Sequence, residues 1–377
     1  MAKLVPMSFP LLQSHEGPIP GEHYLPSTLD SVSWGWLPVE GARPAVQMRS
    51  GETVTIDTVS HEGIVEDHGR DPEEFFGRFG VTATDILRDA AVIAADHPVR
   101  EPTVDGPHVV TGPVAIAGAR PGDVLKIEFL DLVPRAPYGV ISNRHGYGAL
   151  PGELPPLPFP GFVADPGDVE KSGTVSLFCP VAGDLTGALA AGGGRSIKFP
   201  IAPFLGLIGV TPAGETPTHS VPPGPFGGNI DIKDLISGTA LYLPVQVDGA
   251  GLYAGDPHYA QGHGEVALTA LEAPLRATLR VTVLPAADSR ALLGQLDCPL
   301  GETPHHWLAV GLHRDLNEAF RGAVREALRM LEQMYQVPTD VAYAYLSAAG
   351  DFVVSQVVDD VKGVHCLIRK SDFAAWA

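Results

Sequence analysis

Residues 227–272 read GGNIDIKDLISGTALYLPVQVDGAGLYAGDPHYAQGHGEVALTALE. Two β-prone apolar runs, TALYLPVQV and LYAGD, flank the turn VDGAG, and this pattern predicts a hairpin. EVALTALE runs on into APLRATLRVTVLP, which predicts a further long strand pair. Upstream, SGTVSLFCPVAG and SIKFPIAPFLGLIGVTP have the same apolar, β-branched character. PVAIAGARPGDVLKIEFLDLVP, within Val109 to Pro134, holds two strands about the turn Pro121-Gly122-Asp123. In ETVTIDTVSHEG, Val54, Ile56 and Thr58 point one way and Thr53, Thr55 and Asp57 the other. This predicts a half-buried strand ending in the polar loop Ser60-His61-Glu62-Gly63.

Helices are inserted among these strands. Asp71 is placed as an N-cap, Pro72 suits the first turn, and Glu73 and Glu74 favour the dipole, so DPEEFFGRFG reads as a short helix. A second is expected over Ala83–Ala95. From Arg314 to Gln336, Ala319, Phe320, Ala323, Val324, Ala327, Leu328 and Leu331 recur at spacings of three and four. They predict a core-facing helix of about six turns. A further helix is expected near Asp340–Ala349, followed by the strand DFVVSQVVD. The stretch 135–172, dense in Pro, Gly and aromatics, reads as an ordered covering loop. The fold class is therefore β-rich α+β. Mixed or antiparallel sheets form a sandwich or barrel-like core, with a long C-terminal helix and inserted short helices. Strands run throughout, so the chain reads as a single unit, 1–377, with possible parts at 40–200 and 201–377.

Composition agrees with many turns between short strands. The 377 residues include 43 Gly and 36 Pro, yet 45% are hydrophobic and the mean hydropathy is +0.11. Such a chain buries a core. The 25 Lys and Arg stand against 44 Asp and Glu, a net charge of −19. This repels nucleic acid and anionic membrane surfaces. Cys179, Cys298 and Cys366 are isolated and suggest neither a disulfide framework nor a thiolate metal site. The opening MAKLVPMSFPLLQSHEG, broken by Pro6 and Pro10, is a poor signal peptide. No apolar run approaches the ~20 residues of a spanning helix. The expected location is the cytoplasm.

The densest polar cluster, GDPHYAQGHGEVALTALE, offers Asp256, His258, Gln261, His263, Glu265 and Glu272 among glycines. Nitrogen and oxygen donors on a tightly turning backbone suit a divalent metal, and a nearby carboxylate could take a proton from water. The alternative is a polar hairpin loop whose Asp and His satisfy backbone groups. In PFGGNIDIKD, Asn229 and Asp231 follow Gly227 and Gly228, a pattern shared with an ordinary Asx-turn. SHEGIVEDHGRD adds His61 and Glu62 at a strand end, whereas His68 and Asp71 read as parts of a helix entry. Nucleophile elbow, dinucleotide and P-loop patterns are absent.

With these clusters in order, the chain resembles the acetamidase/formamidase family. The matching stretches are VTGPVAIAGARPGDVLKIEFLDL, PIAPFLGLIGVTPA, the segment 227–272, and AYAYLSAAGDFVVSQVVD. The resemblance implies a β-rich fold with helices, a divalent metal in the site, and hydrolysis of a carboxamide to carboxylate and ammonia. Two features depart from the usual family pattern. His263 stands where the family commonly has Asp in GDGE, and the first strand ends in His61-Glu62. Asp231, Asp256 and His258, then His61, are the expected metal ligands, for zinc in first place and calcium in second. Glu265 is the expected general base, Glu272 a second base or a support for the ligands, and Asn229 a contact to the substrate amide. Tyr138, His145, Tyr147 and His263 are expected in the substrate pocket. A homo-oligomer, a dimer or a multiple of it, is expected. The rival readings are a hydrolase of a larger amide or imide, and a non-enzymatic, metal-stabilised β protein that binds a small molecule.

Overall fold

The computed structural model describes residues 8–156 and 173–376. Two nine-stranded sheets dominate. The first runs, edge to edge, through His23–Leu25, Thr53–Asp57, Leu275–Leu284, Val124–Pro134, Ala240–Pro244, Leu300–Glu302, His306–His313, Lys362–Arg369 and Asp351–Gln356. The second runs through Gly227–Asn229, Phe204–Val210, Leu252–Ala260, Leu271–Glu272, Tyr138–Arg144 and Thr174–Pro180. Val109–Ala117 branches from Leu252–Ala260 and carries Val32–Trp34 and Val46–Arg49. Pairing is antiparallel except where His23–Leu25 meets Thr53–Asp57 and Val46–Arg49 meets Val109–Ala117.

The sheets pack face to face. Val54, Ile56, Leu125, Ile127, Leu279 and Val281 from the first share a core with Leu205, Ile208, Leu252 and Ala254 from the second. This is the β-rich, sandwich-like α+β fold expected. The helices are α1 (Pro72–Gly77), α2 (Arg88–Asp96), α3 (Ala286–Leu293), α4 (Leu316–Tyr335) and α5 (Thr339–Ala349). Asp71 caps α1 by accepting from the amides of Glu73 and Glu74. The apolar stripe of α4 lies on the first sheet, where Ala327, Met330 and Leu331 pack with Leu300, Ala309 and Ile368.

Five local expectations are corrected. Ala240–Pro244 and Leu252–Ala260 do not form a hairpin; they enter different sheets, and the turn between them crosses the sandwich. Nearly every position of both strands is buried, so no polar face marks a partner. Thr53–Asp57 is buried on both faces, because the Thr55 hydroxyl meets that of Thr278 at 3.1 Å and Asp57 pairs with Arg276. The stretch 265–285 contains the two-residue strand Leu271–Glu272 and the long strand Leu275–Leu284. Before them, Glu265 and Leu268 take positive φ and turn the chain. The helix over Ala83–Ala95 is a 3-10 turn at Ala83–Asp85 followed by α2. The stretch 135–172 begins with the strand Tyr138–Arg144, and its residues 157–172 lie outside the described residues.

Candidate active site

Leu252–Ala260 is the spine of the site, with Phe204–Val210 on one side and Val109–Ala117 and Leu271–Glu272 on the other. Leu205 pairs with Pro257 and Leu207 with Gly255, so Gly206 stands across from Asp256. Asp256 leaves extended geometry at φ 44°. Its carboxylate lies 3.0 Å from His258 Nε2, which lies an equal 3.0 Å from Glu272 Oε1. Asp231, also at positive φ (48°), follows the Gly227–Asn229 strand and brings Oδ1 to 3.9 Å from His258 Nδ1. Gly206 makes this approach possible. A Cβ there would stand 2.5 Å from Asp231 Oδ1 and 2.6 Å from His258 Cε1.

Other segments complete the ring. His61, from the loop after Thr53–Asp57, brings Nδ1 to 3.3 Å from Asp256 Oδ1 and Nε2 to 3.2 Å from Glu62. His108 precedes Val109–Ala117; its Nδ1 lies 3.0 Å from the Ser220 hydroxyl and its Nε2 3.8 Å from Asp256 Oδ2. Glu265, at φ 47°, offers a carboxylate oxygen within 4.8 Å of Asp231 and His258. Three acidic side chains on left-handed backbone in one place is an arrangement that costs energy and clusters at functional sites. Gln261 locks the loop, donating to the carbonyls of Asp231 and Ser355 at 3.0 and 3.1 Å.

Electrostatics concentrates protons here. Burial, reinforced by neighbouring carboxylates, holds Asp231 and Glu265 well above the usual carboxylate range. Burial and the charge of Asp256 push Glu272 and Asp359 each up to about 7. Burial opposes charge on His61, but Asp256 and Glu62 raise it to about 10. Burial lowers His108 to about 4 and so keeps its lone pair free. Buried polar atoms without a hydrogen-bond partner gather in this region. They are Asn229 Oδ1, both oxygens of Asp231, Asp256 Oδ1, Glu272 Oε2, Asp359 Oδ2 and His61 Nδ1. Such atoms are costly unless something else binds them.

The site forms the floor of a cleft of about 950 Å³, with His61, His108, Asn229, Asp256, Glu265 and Glu272 in its lining. Asp231, Asp256, His258, His61, Glu265, Glu272 and Asn229 are thus brought to one place from distant parts of the chain. His145 and Tyr147 also line the cleft. Tyr138 does not. Its ring packs on Phe76 and Phe178 and its hydroxyl donates to the Asp85 carbonyl at 2.8 Å, because its strand position faces that aromatic cluster. His263 is likewise outside the lining and stands near Asp234. His68 belongs to the helix entry, stacked on Phe75 and accepting from the Gly63 amide. Sequence reasoning missed His108, Asp359 and Gly206. Their one signal is position, a polar residue or glycine at a strand end or within an apolar run.

The profile of the Acetamidase/Formamidase family matches residues 87–220 and 209–367. The chain is 26% identical over 199 residues to the acetamidase of Mycolicibacterium smegmatis, an overlap of 42% of this chain and 49% of that protein. It is 27% identical over 203 residues to the formamidase of Methylophilus methylotrophus, covering 45% of this chain and 49% of the relative. The chain spans about half the length of the curated relatives it matches. In three dimensions it is similar to an acetamidase from Bacillus halodurans, with a TM-score of 0.69 and 26% identity over 94% of this chain and 99% of that one. The match over most of its length, on the fold and around the cluster just described, places the chain in the acetamidase/formamidase family.

Proposed function

We propose that this chain hydrolyses a linear carboxamide, formamide- or acetamide-like, to carboxylate and ammonia, with a divalent metal in the site. The observation that carries this reading is the buried convergence of Asp231, Asp256, His258 and His61 beneath an open cleft, with unpaired oxygen and nitrogen atoms among them. These residues fit a cation. Imidazole nitrogens and carboxylate oxygens make a donor set of the zinc type, and calcium, which takes oxygen ligands, fits less well. A cation would also take the place of the protons that the crowded carboxyls otherwise hold. When bound, such an ion polarises the amide carbonyl and lowers the pKa of water.

The remaining chemistry belongs to the side chains. Glu265, beside Asp231 and His258, is placed to take a proton from the attacking water and to return it to the departing nitrogen. Glu272 holds His258 in orientation through Nε2. Asn229 Oδ1, buried and unpaired in the cleft lining, accepts an N–H of the substrate amide. The cleft volume of about 950 Å³ supports a second reading, a larger amide or an imide as substrate. Ammonia release measured across linear amides, ring imides and ureas separates the two. Highest kcat/KM on the smallest linear amides is the expected result. Turnover confined to imides or bulky amides would favour the second reading, and tight metal binding without turnover would favour a binding protein.

A further inference from the structure

We propose that Asp234, His263 and His365 form a second divalent-cation site, of the zinc class, which fastens the loop carrying Glu265 to the strand Lys362–Arg369. The three residues come from separate parts of the chain, and each offers a ligand atom within 4.8 Å of the others. None of them lines the cleft.

The geometry is that of a partly assembled site. His365 is wholly buried in mid-strand. Its Nδ1 lies 2.8 Å from the Ser355 hydroxyl on the neighbouring strand, and its Nε2 3.1 Å from Asp234 Oδ2. A hydroxyl on the far nitrogen of a histidine holds the ring in orientation, as outer partners do around metal ligands. His263 Nε2 stands 3.9 Å from the same Asp234 oxygen, too far for a hydrogen bond. The side chains of His263 and Asp234 are 33% and 26% exposed. That open side gives a cation an entry path and room for water as a further ligand.

Two imidazoles and one carboxylate select a zinc-like ion over calcium or magnesium. Lys233, whose charge is felt by both Asp234 and His263, opposes the cation and limits its affinity. The site would reinforce bonds already present. The Gly264 amide donates to the Ser355 carbonyl at 3.0 Å, and the Val357 amide donates to the Gly264 carbonyl at 3.1 Å. Glu265 is the next residue along, on strained backbone, so a cation here would hold it in register without touching the reacting atoms.

The test is a cobalt(II) titration of the chelator-stripped chain and of His263→Ala and Asp234→Asn, followed by visible absorption and metal analysis. The expected result is that each variant binds one equivalent less than the parent. Metal should also slow hydrogen exchange over residues 261–265 more in the parent than in either variant. Equal stoichiometry in the parent and both variants overturns the site, as does a parent that binds no cobalt. Because the readout is a difference, it holds whether or not the cluster under the cleft retains its own ion. His263 is exposed, so its replacement should leave the fold intact. Asp234→Asn keeps the size of the side chain and serves as the independent check.

Discussion

Gly206 has no side chain, and the positions of Asp231 and His258 depend on that. An alanine there would drive its methyl into both, so Gly206→Ala should displace them. We expect the variant to lose most of its metal and its turnover, with an over-packing cost of about 1–3 kcal/mol in denaturant unfolding. Parental metal content and rate would contradict the packing argument. Glu265→Gln tests the proposed proton carrier. It conserves size, so fold and metal content should persist while kcat falls by about 10²–10⁴-fold. Near-normal turnover would move the role to Glu272 or Glu62. At this scale the sequence was legible where glycines flank polar residues, as around Asp231, Asp256, His258 and Glu265. His108 and Asp359 were not, because neither lies among glycines and other candidate ligands and only the fold shows what faces it. The positive φ of the three acidic residues leaves no mark in residue type, since Asp and Glu ordinarily occupy other regions.

Among the elements, α4 shows how closely a helix can be set on a sheet. Ala319, Ala323 and Ala327 are fully buried. Across from them a Cβ on Gly311 would come within 2.2 Å of the Ala319 carbonyl and the Ala323 amide. Gly311→Ala should therefore push the helix from the sheet and lower stability by about 1–3 kcal/mol. An unchanged denaturation midpoint would contradict this. The helix itself was legible, because one buried face and one solvated face impose the spacing of three and four. Strand pairing was less so. Ala240–Pro244 and Leu252–Ala260 are buried nearly throughout, and without alternation a short connection reads as a hairpin even when it crosses between sheets. The same burial hid a charge network. Asp57 holds Arg276 at 2.6 Å and faces Arg135 at 3.6 Å inside the first sheet. Asp57→Ala would leave the buried Arg276 guanidinium without its carboxylate at a cost of about 3–5 kcal/mol, whereas Arg135 keeps Asp89 at 2.7 Å. A loss below 1 kcal/mol by calorimetry would show that water or relaxation screens it.

The whole molecule is a sandwich whose two sheets both feed one cleft. His61 and Asp359 come from loops of the first sheet, and Asp231, Asp256, His258 and Glu272 from the second and its loops. Site assembly is therefore coupled to sheet packing, and loss of either sheet's register should abolish it. No helix among the described residues is long and apolar enough to cross a membrane. Leu316 and Phe320 on α4 and Val341 and Tyr343 on α5 remain exposed. We propose that copies of the chain join in a dimer or a multiple of it; a monomeric mass by light scattering at micromolar concentration would contradict that. The central claim is that the buried cluster holds a divalent ion and uses it on a carboxamide. Ammonia release from formamide and acetamide, with metal content measured before chelation, after it and after return of zinc, tests it most directly. Turnover should fall with the metal and return with it. Full turnover by the stripped protein, or none on any carboxamide when the site is loaded, would contradict it.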